Sequence, residues 1–463
     1  MATTKKRSLW NFAERFEGDK VVWIIVLMLI LLSIVCIFSS TSRLLEGSQT
    51  RIDMVREQLF IVAVGLGVII ICYNIKNIAF FRWCSKWGFL LSLLLLVFLD
   101  SHASLGPVKA IGLNGAYRII QIPGMQIHVF EVVKIAMVMY LSWALDALKK
   151  GELKGPKKEI WQKIAYIYAP ALLTMVLILP GSNSSALFIG GIMFITILLG
   201  GGNFKDLALL FAAGVVLIGI CFGLYSATKG SEHPLFQRIG TGISRVFEDD
   251  DLEAVYLSPT STMEQKQKAI DGMRQPYSAK IAIKEGGILG KGPGQSTQRY
   301  VVPDISEDFM FSFIVEEYGI VGAIIVIILY VSLLARASII VRNCGKDNYA
   351  KLVVAGLSIL ITGQAFLHML VNVDIGPMTG QTLPLISHGK SAFLCFSLAF
   401  GVILSFSRIA AGKIERETLR AEPLMEMHEA REDEVRESNP IDDGMDALDA
   451  YESGNMNDTD YGI

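Results

Sequence analysis

Residues 21–39 run VVWIIVLMLILLSIVCIFS without one charged side chain. At ~1.5 Å of rise per residue, a helix of this length crosses a hydrocarbon core of ~30 Å. The segment before it is basic, and no small-residue cleavage site follows. It therefore reads as a retained first span and not as a removed signal peptide. Similar apolar runs recur, and the candidate spans cover 21–41, 57–75, 79–99, 127–147, 163–180, 184–200, 205–227, 308–335, 351–372 and 391–412. With 52% hydrophobic and 19% charged residues, the chain falls below the roughly one-quarter charged content of soluble domains. The expected fold class is an all-α polytopic membrane protein of about ten transmembrane helices.

Basic residues orient the spans, because short cytoplasmic loops retain Lys and Arg. Lys5, Lys6, Arg7 and Arg15 precede the first span, and six lysines lie in 148–163. Arg336, Arg342 and Lys346 mark a later turn, and Lys413, Arg416 and Arg420 follow the last span. With ten spans all four groups share one side, so both termini are expected in the cytoplasm. Arg43, Arg51 and Arg56 fall on the other side and break the pattern mildly. Residues 228–307 then form one long extracytoplasmic loop between spans seven and eight. Within it, 248–268 reads as an acidic, mobile insertion, whereas 276–298 mixes order-forming residues with a glycine series. The expected organisation is a cytoplasmic segment 1–20, a transmembrane domain 21–412 and a tail 413–463. That tail carries sixteen acidic against five basic residues, a net −11 in a chain of net −2, and reads as disordered.

The side chains that carry chemistry are few. Asp308 stands at the seam between loop and apolar helix, where a carboxylate meets a head group while keeping part of its water shell. Glu316 lies about 80° round the same helix from Asp308 and is placed to line the same groove, while one of Glu316 and the adjacent Glu317 pairs or caps elsewhere. Glu131 and Lys134 are i, i+3 neighbours about 60° apart inside an apolar helix. Buried charges of this kind face a partner or a cavity, so the pair is either a structural lock between helices or the lining of a site for an anionic substrate. The glycines at 286, 287, 290, 292 and 294 fit no phosphate-binding loop, nor does Gly389-Lys390-Ser391. They read as close backbone approach, to a helix or to a substrate. Six cysteines show no disulfide or zinc spacing, and the histidines (His128, His368 and His388 near spans) define no metal site.

Four strings, in order, resemble the SEDS family (shape, elongation, division and sporulation). Leu383-Pro384-Leu385-Ile386-Ser387-His388-Gly389-Lys390-Ser391 is similar to its LPLISYGGSS signature. Gly115-Ala116-Tyr117-Arg118 and Glu131-Val132-Val133-Lys134 resemble two more of its motifs. The glycine series through Ser296, followed by Asp308-Phe309 and Glu316-Glu317-Tyr318-Gly319, resembles its glycine-rich loop and TDF string. The chain departs at Ile119, where the family has tryptophan, and at 180–186, where an acid is missing. It departs again at His388 and Lys390, which replace Tyr and Gly.

The resemblance implies a peptidoglycan glycosyltransferase of the cytoplasmic (inner) membrane that polymerises lipid II on the extracytoplasmic face. It implies a class B penicillin-binding protein and other division proteins as partners, and Asp308 as the catalytic residue. The extended cytoplasmic ends favour the division type over the elongation type. Arg118, Glu131, Lys134, Arg245, Ser296, Glu316, Ser387 and Lys390 are the candidate substrate-binding residues, the cations serving the leaving pyrophosphate. Whether a divalent cation takes part stays open, since no ligand cluster is visible; no nucleic acid is expected. A lipid-linked precursor flippase and a non-catalytic scaffold for the division machinery are the other readings. The flippase would depend on Glu131 and Lys134 more than on Asp308.

Overall fold

In the computed structural model the described residues are 17–41, 51–101, 104–113, 116–155, 158–202, 219, 223, 252–302, 305–375 and 379–438. The expected span 205–227 (apart from residues 219 and 223), Arg245 and Gly115 lie outside them. Two compact units are present, Met1–Ala410 and Ala411–Ile463.

The described residues are mostly helical. Helices α1 (Lys20–Ser40), α2 (Arg51–Asn74) and α3 (Ile78–Asp100) lead to a small sheet of β1 (Ser104–Leu105), β2 (Val108–Leu113), β3 (Ala116–Ile122) and β4 (Met125–His128). Helices α4 (Val129–Lys150), α5 (Glu159–Ile178) and α6 (Asn183–Leu199) follow. Next come α7 (Leu252–Leu257), α8 (Met263–Gly286), α9 (Met310–Asn343), α10 (Asn348–Asn372) and α11 (Lys390–Ser438). Among the described residues, seven helices are long and apolar enough to cross a membrane, and α6 is a shorter apolar helix. The charged Glu131, Lys134 and Asp146 set α4 apart from those seven. The chain is a multi-pass membrane protein, and nine of the ten expected spans correspond to observed helices.

Local sequence sets where these helices begin. Asp19 caps α1 by accepting from the N–H groups of Val21 and Val22 at 2.9 and 3.2 Å. Its other oxygen takes Arg336 of α9 at 2.7 Å, and its own N–H donates to Ser407 of α11 at 2.7 Å. One acidic residue thus ties together three helices at the end of the bundle away from the sheet. At the same end Arg82 of α3 pairs with the fully buried Asp146 of α4 at 2.6 Å and with Asp347, the cap of α10, at 3.4 Å. The core sits along α9, α10 and the first part of α11, where Tyr330, Tyr349, Phe396 and Phe400 are fully buried. Leu59, Phe60, Trp83, Ile320 and Ile324 are exposed on α2, α3 and α9 and form an apolar outer surface suited to lipid.

Two features add to the sequence reading. The sheet is fully antiparallel in the order β1-β2-β3-β4, with a register shift at Ile111/Gly112. Helix α8 occupies part of the expected loop and opens on a capping box, Thr262 and Gln265 bonding each other's backbone. The tail expected to be disordered is helical here as far as Ser438, over a stretch rich in Glu, Arg, Ala and Met, all good helix formers.

Candidate active site

Asp308 lies two residues before the first helical residue of α9, half-buried. The turn that carries it is clamped to the loop before α11. His388 N–H donates to the carbonyl of Ser306 at 2.8 Å, and Ser387 Oγ donates to that of Glu307 at 2.8 Å while accepting from Leu383 N–H at 2.9 Å. Ser387 is therefore a buried strut between two loops. The carbonyl of Asp308 itself accepts from Asn372 Nδ2 at 3.1 Å. Its carboxylate lies beside Gly380, where a Cβ would stand 3.6 Å from Oδ2. Gly380 has φ of +58°, a conformation glycine adopts without cost.

A cleft of about 320 Å³ opens next to this turn, lined by Gln121 and Gln126 of the β3–β4 hairpin, His128, Glu307, His388 and Lys390. Asp308 is one residue from the lining residue Glu307. Lys390 pairs with Glu57 and remains partly exposed at the rim. Arg118 of β3 donates from Nε to the carbonyl of Gly181 at 2.8 Å, at the same end of the bundle.

His128 and His388 are both held below the ordinary histidine pKa, chiefly because burial penalises the imidazolium. Both are neutral at pH 7, so Lys390 is the cation among these six lining residues. The sign of the pH dependence follows. The unfolded chain binds protons at about pH 6.5 that the folded one refuses, so stability falls as pH drops below that value. His388→Gln is expected to flatten the loss of thermal stability between about pH 7 and pH 5, measured by unfolding in detergent at each pH.

The glycine series has a local explanation. Helix α9 is broken at Gly319 (φ 68°, ψ −166°), which frees backbone groups on either side. The loop after α8 fills the break. Lys291 and Gly292 N–H donate to the carbonyls of Glu316 and Glu317 at 2.9 Å each, and Ile320 N–H donates to Gly287 at 3.0 Å. A Cβ at Gly286, Gly290 or Gly319 would stand 2.0 to 2.2 Å from a facing carbonyl oxygen, so the backbones meet only because these residues have none. Glu316 accepts from Lys291 Nζ at 2.8 Å, Ser296 Oγ at 2.5 Å and Thr297 N–H at 2.8 Å. Glu317 accepts from Ser39 Oγ at 2.6 Å and Gly294 N–H at 3.0 Å. Both acids are fully buried and both hold the loop; Glu316 and Ser296 bond each other away from the cleft. Gly319→Ala is expected to lower stability by about 1–3 kcal/mol from the backbone strain alone, read as the unfolding midpoint of the purified protein.

Lys134 is also committed. It is 2% exposed and donates to Glu131 Oε1 at 2.7 Å, to Gln381 Oε1 at 3.1 Å and to Gln364 Oε1. Phe188 and Phe396 rings lie 5.7 and 5.8 Å from its ammonium. These hydrogen bonds tie α4 to α10 and to the loop before α11. Among the described residues, no group of three or more His, Cys, Asp or Glu is arranged to hold a metal ion.

Residues 19–411 match the family model of the FtsW, RodA and SpoVE cell cycle proteins. The chain belongs to this family. Its relatives include the probable peptidoglycan glycosyltransferase FtsW of Caulobacter vibrioides (strain NA1000 / CB15N), 30% identical over 68% of this chain and 72% of that protein. The probable peptidoglycan glycosyltransferase FtsW of Enterococcus hirae is 26% identical over 85% and 93% respectively. The fold is shared with the Thermus thermophilus rod shape determining protein RodA (TM-score 0.53, 19% identity, 85% of this chain and 98% of that one). It is shared too with a chain of a peptidoglycan synthase complex that coordinates polymerization and crosslinking (TM-score 0.56, 20% identity, 84% and 98%). The SEDS resemblance is thereby established, FtsW-like in its named relatives.

The structure brings Asp308, Ser387 and Lys390 to one end of this FtsW/RodA/SpoVE fold and sets Arg118 in the adjacent hairpin. Glu131 and Lys134 lie deeper, while Ser296 and Glu316 belong to the glycine loop. Gln121, Gln126 and Glu307, which line the cleft, and Asn372, Gln364 and Gln381 are not among the residues the sequence points to, and His368 is weighed there only as a metal ligand. On α10 a signal exists: Gln364, His368 and Asn372 recur every four residues in the last, mostly apolar turns, so they share one face.

Proposed function

We propose that the protein is a peptidoglycan glycosyltransferase that extends glycan strands from lipid II on the extracytoplasmic face of the cytoplasmic membrane, for division. The observation that carries this reading is the joint one of family membership and an aspartate on a turn whose backbone is clamped next to an open cleft. The acceptor hydroxyl is a poor nucleophile, and Asp308 takes its proton as the oxygen attacks the anomeric carbon of the donor. The new glycosidic bond forms as the bond to the lipid pyrophosphate breaks, and a single displacement inverts the configuration. The pyrophosphate leaves with its electron pair, and its charge calls for nearby cations. Lys390 at the cleft rim and Arg118 in the hairpin suit that role; Lys134, spent on Glu131, Gln364 and Gln381, does not. A monofunctional transpeptidase of the class B penicillin-binding type is the proposed partner, supplying the crosslinking that polymerisation alone lacks.

The test is to incubate the purified protein and that partner with lipid II and to resolve the products by gel. A ladder of glycan polymers is the expected result. Movement of lipid II across vesicle bilayers without polymer would replace this reading with the flippase. In cells, depletion is expected to give undivided filaments; rounded cells would point to the elongation type instead.

A further inference from the structure

Helix α9 starts without help from its own sequence. Its N-cap, Phe309, has no side chain able to accept, yet the first N–H groups of a helix need acceptors. Helix α10 supplies them. Asn372 Oδ1 accepts from Ser312 N–H at 2.9 Å, and His368 Nε2 accepts from Phe311 N–H at 3.3 Å. Because Nε2 accepts, the ring proton sits on Nδ1, which donates to the carbonyl of Gln381 at 2.7 Å. The amide of Asn372 also reaches back past the helix start and donates to the carbonyl of Asp308 at 3.1 Å. His368 and Asn372 are each 1% exposed.

Gln381 joins this arrangement to the buried ion pair. Its side-chain oxygen accepts from Lys134 Nζ at 3.1 Å, and its amide donates to Ser185 Oγ at 3.1 Å. Its neighbour Gly380 faces the Asp308 carboxylate. Polar contacts thus lead from Glu131 and Lys134 through Gln381 to His368, which meets the first turn of α9, while Asn372, one helical turn further along α10, holds the carbonyl of Asp308. A network of buried, satisfied polar groups fixes geometry more tightly than apolar packing does.

We propose that His368 and Asn372 are positioning residues that fix the Asp308 carboxylate for proton transfer, and that Gln381 couples them to the Glu131–Lys134 lock. The proposal rests on the reading of Asp308 as the base. Neither side chain needs to touch substrate. Each acts through the backbone of Asp308 or of the first helical turn, where a displacement of about 1 Å costs about 100-fold in rate.

The experiment compares polymerisation of lipid II by the full chain with its transpeptidase partner for Asn372→Leu, His368→Leu, His368→Gln and Asp308→Asn. Asn372→Leu and His368→Leu are expected to lower kcat about 10- to 100-fold, with KM changed by less than about threefold. His368→Gln, whose amide oxygen can stand where Nε2 stood, is expected to recover part of that loss. A role confined to stability would instead lower the unfolding midpoint and the yield of folded protein while leaving the kcat of the folded fraction intact. If either leucine variant does not fold, His368→Gln against wild type carries the comparison. Full activity in folded Asn372→Leu and His368→Leu beside an inactive Asp308→Asn would overturn the positioning proposal alone. Full activity in Asp308→Asn would overturn the base assignment, and the positioning proposal with it.

Discussion

Asp308→Asn is expected to lower the rate of lipid II polymerisation by about 100- to 10,000-fold while the protein folds and inserts as before. The change is nearly isosteric. Asp308 is held through its backbone carbonyl, which Asn372 grips whatever side chain follows. The anchor of the helix behind it is Phe309, buried in the core, together with the cross-helix contacts of Ser312. What the substitution removes is the negative charge and the lone pair that accepts a proton. Asp308→Glu is expected to fall between the two, because the extra methylene carries the carboxylate away from its place beside Gly380. The readout is the glycan ladder formed per unit time by purified protein with its partner. Wild-type turnover in Asp308→Asn would move attention to Glu307, the carboxylate that lines the cleft itself.

The parts of this molecule that were legible in its sequence are those set by long-range composition. Span length and the absence of charge follow from the thickness of hydrocarbon, so α1, α2, α3 and α9 announce themselves. The glycine series was legible as close backbone approach but not as to what it approached. Gly319, the residue that opens α9 to receive the loop, lies some thirty residues further on, and no local pattern joins the two. The sheet is not legible because its strands are two to seven residues long, too short for a firm period-two signal. One of its turns does carry its mark, in Pro123-Gly124. Glu316 and Glu317 show the limit of helical-wheel reasoning. The angle from Asp308 assumes an unbroken helix, whereas Asp308 precedes α9 and belongs to a turn. Both acids instead meet the glycine loop, whose polar N–H groups need acceptors where the backbone is buried.

Lys134→Met is expected to destabilise the protein by about 3–5 kcal/mol, the cost of leaving a buried ion without its counter-ion. Glu131 is 9% exposed, and its Oε1 takes its bond from Lys134. Removing the ammonium strips a donor from Gln364 and Gln381 in the same step, so three acceptors in a low-dielectric interior lose their partner together. The double variant Glu131→Gln/Lys134→Met is expected to recover most of the loss, because the uncompensated charge is gone and Met fills much of the volume of Lys. The measurement is the unfolding midpoint of the four proteins in detergent, read as a double-mutant cycle. This cycle also separates the two roles open to the pair. A ligand for an anionic substrate would, once neutralised, lower activity at unchanged stability, and the double variant would be no better than the single one. A lock between α4, α10 and the loop before α11 gives the opposite order: stability falls first, and activity returns with stability in the double variant. The second order is expected, because the three hydrogen bonds of Lys134 join α4 to α10 and the loop before α11, and its side chain is only 1% exposed.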